Sequence, residues 1–347
     1  MSTNNLLIEF VKSNINFFIG AGILALNAYA FYNNNNLKLD SCSSDQKIKI
    51  KKIIIYPIKS CKGIEVKSCK WDKYGFVNDR RFMLIENGRF MTQRKAPKMA
   101  LIQPNISEDG KWLIIKDKDN TTSELRVLIN DTSRKEVINV GIWKDNVNVV
   151  DCGEEPSIWF SNYLGIDGVR LVTMASGGSY TRKVDTVYID KKQQQPEEIH
   201  QVSLCDGSQT NILSESSIVE LNNRISETRK SNGEEQRSPL TWERFRPNIL
   251  VSAGDKSFEE DTWEKINISG LVLKKLSAGC PRCKLTTVDY DAGVLNPYDD
   301  NEPLRTLETF RKFDSGLLFG AEFIQEFENE ANGSEISVGD IINVLKV

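Results

Sequence analysis

Two cysteines three positions apart, in Gly279-Cys280-Pro281-Arg282-Cys283, are the residues of this chain best suited to do chemistry. A C-x-x-C pair can be half of a zinc site, a dithiol redox couple, or loop cysteines beside some other centre. Zinc needs four ligands, and the sequence holds no second C-x-x-C and no C-x-x-H. A thioredoxin-type pair opens a helix, whose amino terminus stabilises the thiolate. Here Lys284-Leu285-Thr286-Thr287-Val288-Asp289 are β-formers, and Tyr290-Asp291-Ala292-Gly293 reads as a turn. What is left is a thiolate beside Arg282, whose fixed charge favours the deprotonated form; thiolates are soft ligands for redox metals. On chemistry alone such a cysteine is a nucleophile, a ligand or an inert core residue, and these residues do not choose among the three.

A second set of residues suits an anion. Tyr56-Pro57-Ile58-Lys59-Ser60-Cys61-Lys62-Gly63 follows a strand-like run, and a strand ending in Pro, Lys, Ser and Gly makes a polar loop able to hold negative charge. Arg81 stands in Asp79-Arg80-Arg81-Phe82, and Asp206-Gly207-Ser208 and Phe245-Arg246-Pro247-Asn248 add further donors. Together they suit a phosphate joined to a polar heterocycle, although any one arginine taken alone reads as a solvated surface charge.

Composition narrows the chemistry further. The chain has 347 residues, a net charge of −3 and 27% charged residues, with no basic excess, so no nucleic-acid partner is expected. His200 is its single histidine, which rules out histidine-rich zinc or iron sites and bis-histidine haem. Seven cysteines at scattered spacings read as reduced thiols and not as a disulfide framework. No G-x-G-x-x-G follows a strand and no Walker A run is present, so nucleotide binding by either route has no support.

The elements that must position these residues are mostly short strands. Ile48 to Tyr56 is strand-like, and Arg81 to Glu86, Asn87-Gly88, Arg89 to Thr92 reads as a hairpin with a tight turn. Trp112 to Lys116, Ser123 to Leu128 and Asn146 to Val150 continue the pattern, and Pro156 to Leu164 is a short helix stopped by Gly165. Ser214 is placed to cap a helix through Ile225, and Arg229 to Pro239 reads as a charged surface loop. Asn248 to Ser252 and Leu271 to Leu276 are strands, Leu304 to Phe313 a helix, and Glu335 to Val347 a strand–turn–strand with its turn at Gly339-Asp340. The absence of βαβ alternation predicts a mainly β fold with some α, barrel-like in architecture.

The amino terminus differs from the rest. Ile15 to Tyr32 carries no charge and as a helix would span about 27 Å, enough for a bilayer core. Lys38, Lys47, Lys49, Lys51 and Lys52 follow it and favour a cytosolic downstream side. The expected organisation is a tail (1–14), a transmembrane anchor (15–32), an Asn- and Ser-rich linker (33–46), a smaller β-rich domain (47–170) and a second β-barrel domain (171–347).

In order and number, these runs resemble one family closely. Tyr56 to Gly63, Asp79 to Phe82, Asp151-Cys152-Gly153, Asp206 to Ser208, Ile212-Leu213-Ser214-Glu215, Phe245 to Asn248 and the stretch Cys280 to Gly293 look like the mitochondrial amidoxime-reducing components of the MOSC superfamily. The resemblance runs from about Lys51 to the end and implies a MOSC N-terminal β-barrel domain followed by a MOSC domain. It implies the molybdenum cofactor, with Cys283 as the molybdenum ligand and Cys280 a non-ligating neighbour. Lys59, Ser60 and Arg81 would hold the pterin phosphate; Asp206, Gly207, Ser208, Arg246 and the backbone of Pro281 and Arg282 would complete the wall. Gly207 stands where the family carries a hydroxyl, and Pro281 removes a backbone N–H beside the ligand.

The activity implied is reduction of N-hydroxylated compounds such as amidoximes and N-hydroxyamines, with electrons from cytochrome b5 and its NADH-dependent reductase. The place implied is the mitochondrial outer membrane, with the catalytic part facing the cytosol. The alternative is a molybdenum-cofactor carrier or sulfur-transfer module without reductase activity. A complete sulfurase would also need a pyridoxal-phosphate aminotransferase domain, for which 347 residues leave no room.

Overall fold

Runs of β-branched and aliphatic residues alternate sides along the strands, and that alternation builds two layers of core. The computed structural model describes residues 47–345 apart from 132, 134, 135, 177, 185–199, 253–255 and 327–332. The tail, anchor and linker expected over 1–46 lie outside the described residues, as does most of the polar stretch before His200. No helix among the described residues is long and apolar enough to cross a membrane.

The largest sheet has eight strands in the order Ile64–Val66, Ile50–Ile55, Ile249–Val251, Thr210–Ser214, Ala321–Gln325, Leu271–Lys275, Lys265–Ile268, Ile342–Leu345. Ile53 and Ile55 enter one buried cluster with Trp71, Ile212 and Phe323. Ile54, between them, enters the cluster on the other face with Leu213, Leu221 and Leu307. A period of two thus buries both faces, as expected of a sheet covered on each side.

Two helices contribute to that second cluster, α2 (Glu215–Ser231) and α3 (Leu304–Phe310), while α1 (Glu154–Leu164) lies earlier in the chain. A five-stranded closed barrel is formed by Val137–Ile142, Asp145–Asp151, Arg170–Met174, Phe82–Glu86 and Arg89–Phe90, closing where Gly141 pairs with Arg89. The fold is mainly β with few helices and a barrel, as the sequence predicts. The expected hairpin at Asn87-Gly88 is present, with φ of 50° and 71° at its two turn residues. The strand at Arg170–Met174 belongs to this barrel, and the first two strands among the described residues belong to the sheet of the later half.

Several local expectations change. Helix α2 runs past Ile225 to Ser231, so Arg229 is not in a surface loop. It is buried, pairs with Asp300 and donates to the Glu235 carbonyl at 3.1 Å. Lys284–Thr287 is a 3-10 turn and not a strand, because the Cys283 carbonyl accepts both the N–H and the hydroxyl of Thr286 at 3.0 Å. The two C-terminal strands do not pair with each other; Glu335–Ser337 pairs with Ser68–Asp72 and Ile342–Leu345 with Lys265–Ile268. In α1 the sequence spacing puts Ile158 on one apolar stripe with Trp159 and Tyr163, but Ile158 is 59% exposed and Pro156, Trp159, Phe160 and Tyr163 make the buried face.

Ser214 does cap α2. Its Oγ accepts the Ser217 N–H at 3.2 Å and donates to buried Glu260 Oε2 at 2.9 Å. Ser214→Ala removes both bonds, and an expected loss of about 1–2 kcal/mol in urea unfolding follows. A loss below about 0.3 kcal/mol would show that the cap is dispensable.

Candidate functional site

The loop after the first strand is fixed by backbone bonds to the Arg80–Phe82 segment. Lys59 N–H donates to the Phe82 carbonyl at 2.8 Å, Arg80 N–H to Tyr56 at 2.8 Å and Phe82 N–H to Pro57 at 3.0 Å. Cys280 and Arg282 are held from the opposite side: their N–H groups donate to Gly320 (2.8 Å) and Leu317 (2.7 Å), and Phe319 donates to Cys280 at 3.0 Å. This pairing takes an N–H from Cys280 and from Arg282 but not from the residue between them, so Pro281 costs the protein no bond of its own.

These segments enclose a cavity of about 670 Å³. Lys59, Ser60, Asp206, Gly207, Ser208 and Arg246 all line it, together with Pro281, Arg282 and Cys283. Arg81, expected in the phosphate site, does not; its guanidinium is taken by Asp72 Oδ1 at 2.7 Å, the Phe76 carbonyl at 3.1 Å and the Tyr74 ring at 5.0 Å. Arg80 lines the cavity instead. Arg80 ends a turn in the left-handed conformation (φ 48°) and Arg81 follows just before the strand Phe82–Glu86, so the local backbone sends the two guanidiniums different ways.

Four residues of the wall adopt the left-handed backbone that side chains other than Gly, Asn and Asp rarely take: Ser60 (φ 66°), Arg80 (48°), Trp143 (53°) and Arg246 (52°). Each such residue costs of order 1–3 kcal/mol, and clustering of this strain is a mark of functional sites. Arg80 and Arg246 each place a guanidinium 4.2 Å from the Tyr56 ring centroid, and the Tyr56 hydroxyl donates to the Pro247 carbonyl at 3.0 Å. Burial holds the Tyr56 phenol well above its ordinary range even though both arginines pull it down, so the ring stays a neutral platform. Arg246 Nη1 donates to the Tyr290 hydroxyl at 3.4 Å, whereas its buried Nη2 has no partner among the described residues.

Lys59 is 4% exposed and forms an ion pair with Asp206. Burial pushes the lysine down from its ordinary value, with the Asp206 charge opposing. Partial enclosure acts to raise Asp206, whose side chain is still 66% exposed, but the Lys59 charge and hydrogen bonds from Lys59 and Trp143 hold the carboxyl below its usual range. Arg182, which belongs to no motif legible in the sequence, holds this loop. It donates to the carbonyls of Cys205 (2.7 Å) and Asp206 (2.8 Å) and pairs with Asp145 at 2.9 Å.

At the other end stands Cys283, the exposed thiol among the six free cysteines of the described residues. Cys61 is pushed up to about 12 by burial, and Cys205 and Cys280 are raised for the same reason. The neighbouring cation differs from expectation. Arg282 turns inward and donates to the carbonyls of Phe245 and Phe319, and the guanidinium facing Cys283 Sγ, at 4.0 Å, is that of Arg94. Arg94 lies 4.8 Å from the Trp143 ring centroid, and Trp143 Nε1 donates to Asp206 Oδ1 at 3.0 Å. Trp143 therefore links the thiol end of the cavity to the Lys59–Asp206 end. Neither Arg94 nor Trp143 carried a sequence signal beyond being a cation and an aromatic residue in turns. Among the described residues no cluster of three or more His, Cys, Asp or Glu side chains is placed to hold a metal, so Cys283 is the cavity's available thiol ligand.

A barrel joined to a mixed sheet, with an open thiol and a cationic pocket between them, defines a class, and the comparisons agree. Residues 47–167 match the MOSC N-terminal beta barrel domain and residues 199–343 the MOSC domain. The chain is 35% identical over 272 residues to mitochondrial amidoxime reducing component 2 of Macaca fascicularis, covering 76% of this chain and 73% of that one. It is 32% identical to component 1 of Mus musculus, with 84% and 80% covered. It is also 30% identical to the molybdenum cofactor sulfurase of Oryza sativa subsp. japonica, over 95% of this chain but 40% of the sulfurase. The chain belongs to the family of mitochondrial amidoxime-reducing components.

Proposed function

We propose that the chain is a molybdenum-cofactor-dependent reductase of N-hydroxylated compounds, amidoximes and N-hydroxyamines among them. The observation that carries this reading is the pairing, in one cavity, of an exposed Cys283 thiol with a buried Arg246 nitrogen that has no partner among the described residues. The first suits a soft metal and the second a phosphate, the two ends of a metal-bearing pterin phosphate. Cys283 would ligate molybdenum, and Lys59, Ser60, Arg80 and Arg246 would hold the phosphate. When bound, the group supplies two-electron chemistry that removes the oxygen of an N–OH compound as water. The protein's part is to neutralise and orient the cofactor through a strained and therefore preorganised wall. Arg94 places a positive charge beside the cysteine sulfur, and Trp143 covers that end.

Electrons would reach the site from cytochrome b5 and its NADH-dependent reductase, since the sequence has no flavin, haem or iron–sulfur motif of its own. The test is stoichiometric molybdenum in protein made by a cofactor-sufficient host, together with NADH-driven benzamidoxime reduction when both donor proteins are present. Metal without reduction would leave the carrier or sulfur-transfer reading, which the similarity to the sulfurase favours. Absence of metal would remove the proposal.

Residues 15–32 are proposed as an anchor in the mitochondrial outer membrane that keeps the catalytic part in the cytosol. Full-length protein should then need detergent for extraction, whereas a chain starting at Asp45 should not; equal solubility of the two would sink the anchor.

A further inference from the structure

We propose that Glu322 and Asn211 are the acceptor pair that reads the N–H donor edge of the heterocycle seated in the cavity. This rests on the pterin reading above and extends it to residues that no sequence motif marks.

The two side chains come from neighbouring antiparallel strands, Thr210–Ser214 and Ala321–Gln325, in which Asn211 is paired directly with Glu322. Residues directly opposite share a face, with Cβ atoms about 4.5–5.5 Å apart. Both line the cavity, Asn211 at 7% exposure and Glu322 at 8%. The Asn211 amide donates to the Phe245 carbonyl at 3.3 Å, which leaves its Oδ1 buried and without a donor. Glu322 is bound by hydroxyls and by the Cys280 thiol: Ser208 Oγ donates to Oε1 at 3.2 Å, and Ser277 Oγ lies 3.4 Å from Oε2 while also donating to the Gly279 carbonyl at 2.8 Å. Among the described residues no cation forms an ion pair with it.

A buried oxygen without a donor, and a buried carboxyl without a cation, each cost free energy unless a ligand brings N–H groups to them. Burial pushes the Glu322 carboxyl up, with the Arg282 charge opposing, so incoming donors would also favour its ionised form. The cavity therefore has two chemically distinct walls. One, with Lys59, Arg80 and Arg246, takes an anion. The other offers two acceptors side by side, the complement of the adjacent ring N–H and amino group of a cyclic guanidine such as a pterin. A ring with a carbonyl in place of that amino group would meet acceptor with acceptor.

The experiment compares 6-hydroxymethylpterin monophosphate with 6-hydroxymethyllumazine monophosphate, in which a carbonyl replaces the 2-amino group, by calorimetric titration of the full chain stripped of cofactor. Wild type should prefer the pterin by about tenfold or more, the worth of one hydrogen bond to a charged acceptor. Glu322→Gln, whose amide can donate to the lumazine carbonyl, should lose that preference while inorganic phosphate binds both proteins alike. The assignment is overturned by a wild type that does not discriminate, or by a folded Glu322→Gln that still does. The wild-type preference needs no variant to fold. A wild type that carries molybdenum yet ignores the ring would defeat the acceptor pair alone; one that carries no metal and binds neither ligand would defeat the function with it.

Discussion

Cys283→Ala, produced where the cofactor is abundant, should lose NADH-driven benzamidoxime reduction by at least about 100-fold and lose most of its molybdenum. Removing groups that merely support a metal ligand already costs about 10–100-fold, and the ligand itself should cost more. The residue stands open at the cavity, and the other cysteines of the described residues are at least partly buried. Cys280 makes the informative control. It lies three positions away on the same loop, but burial raises its thiol and its sulfur lies 4.0 Å from the Pro281 carbonyl. Cys280→Ala should keep metal and most of the activity. If the two variants behaved alike, or if Cys283→Ala kept full metal and full rate, the ligand assignment would fall.

The largest effect on stability is expected far from the thiol, at Trp71→Ala. Trp71 is 1% exposed, meets Phe76 edge-on at 4.9 Å and donates through Nε1 to Gln325 Oε1 at 2.8 Å. Truncation empties the centre of the cluster that backs the large sheet and takes a donor away from a fully buried amide. The expected loss is about 3–5 kcal/mol, a large share of a total stability of about 5–15 kcal/mol. Melting should fall by roughly 6–15 °C. A loss under about 1 kcal/mol would contradict the packing described. Because Gln325 lies on the same strand as Glu322, cofactor retention should weaken along with stability even though Trp71 touches no ligand.

Much of this was legible from residues near one another in sequence. The turn at Asn87-Gly88 announces its hairpin, and the Ser214 hydroxyl announces its helix. The runs that resemble the MOSC family supply much of the cavity lining, Arg81 excepted. What escaped depended on partners far along the chain. Helix α2 extends because Asp300 and the Glu235 carbonyl await Arg229. Arg80 and Arg81 point to different places because Arg80 takes a left-handed backbone that no sequence pattern marks, while Arg81 is drawn to Asp72. Asn211 and Glu322 sit within otherwise buried strands, and only strand pairing brings them together. Arg282 looked like the partner of Cys283 by adjacency, but its donors are satisfied by carbonyls of the loops behind it.

The interlocking of early and late strands also sets a timetable for synthesis. Ile54 receives the Asn248 side-chain amide, 194 positions further along the chain, and the outermost strand of the same sheet is Ile342–Leu345. At about 5–20 residues per second, Lys59 and Ser60 leave the ribosome roughly 10–40 s before the strand at Ile249–Val251, which pairs with the strand leading into them. A molecule meant to sit between those segments meets no finished binding surface on the nascent chain. On the proposed reading, a cofactor would meet its whole pocket only once the chain as far as Glu322 had been made.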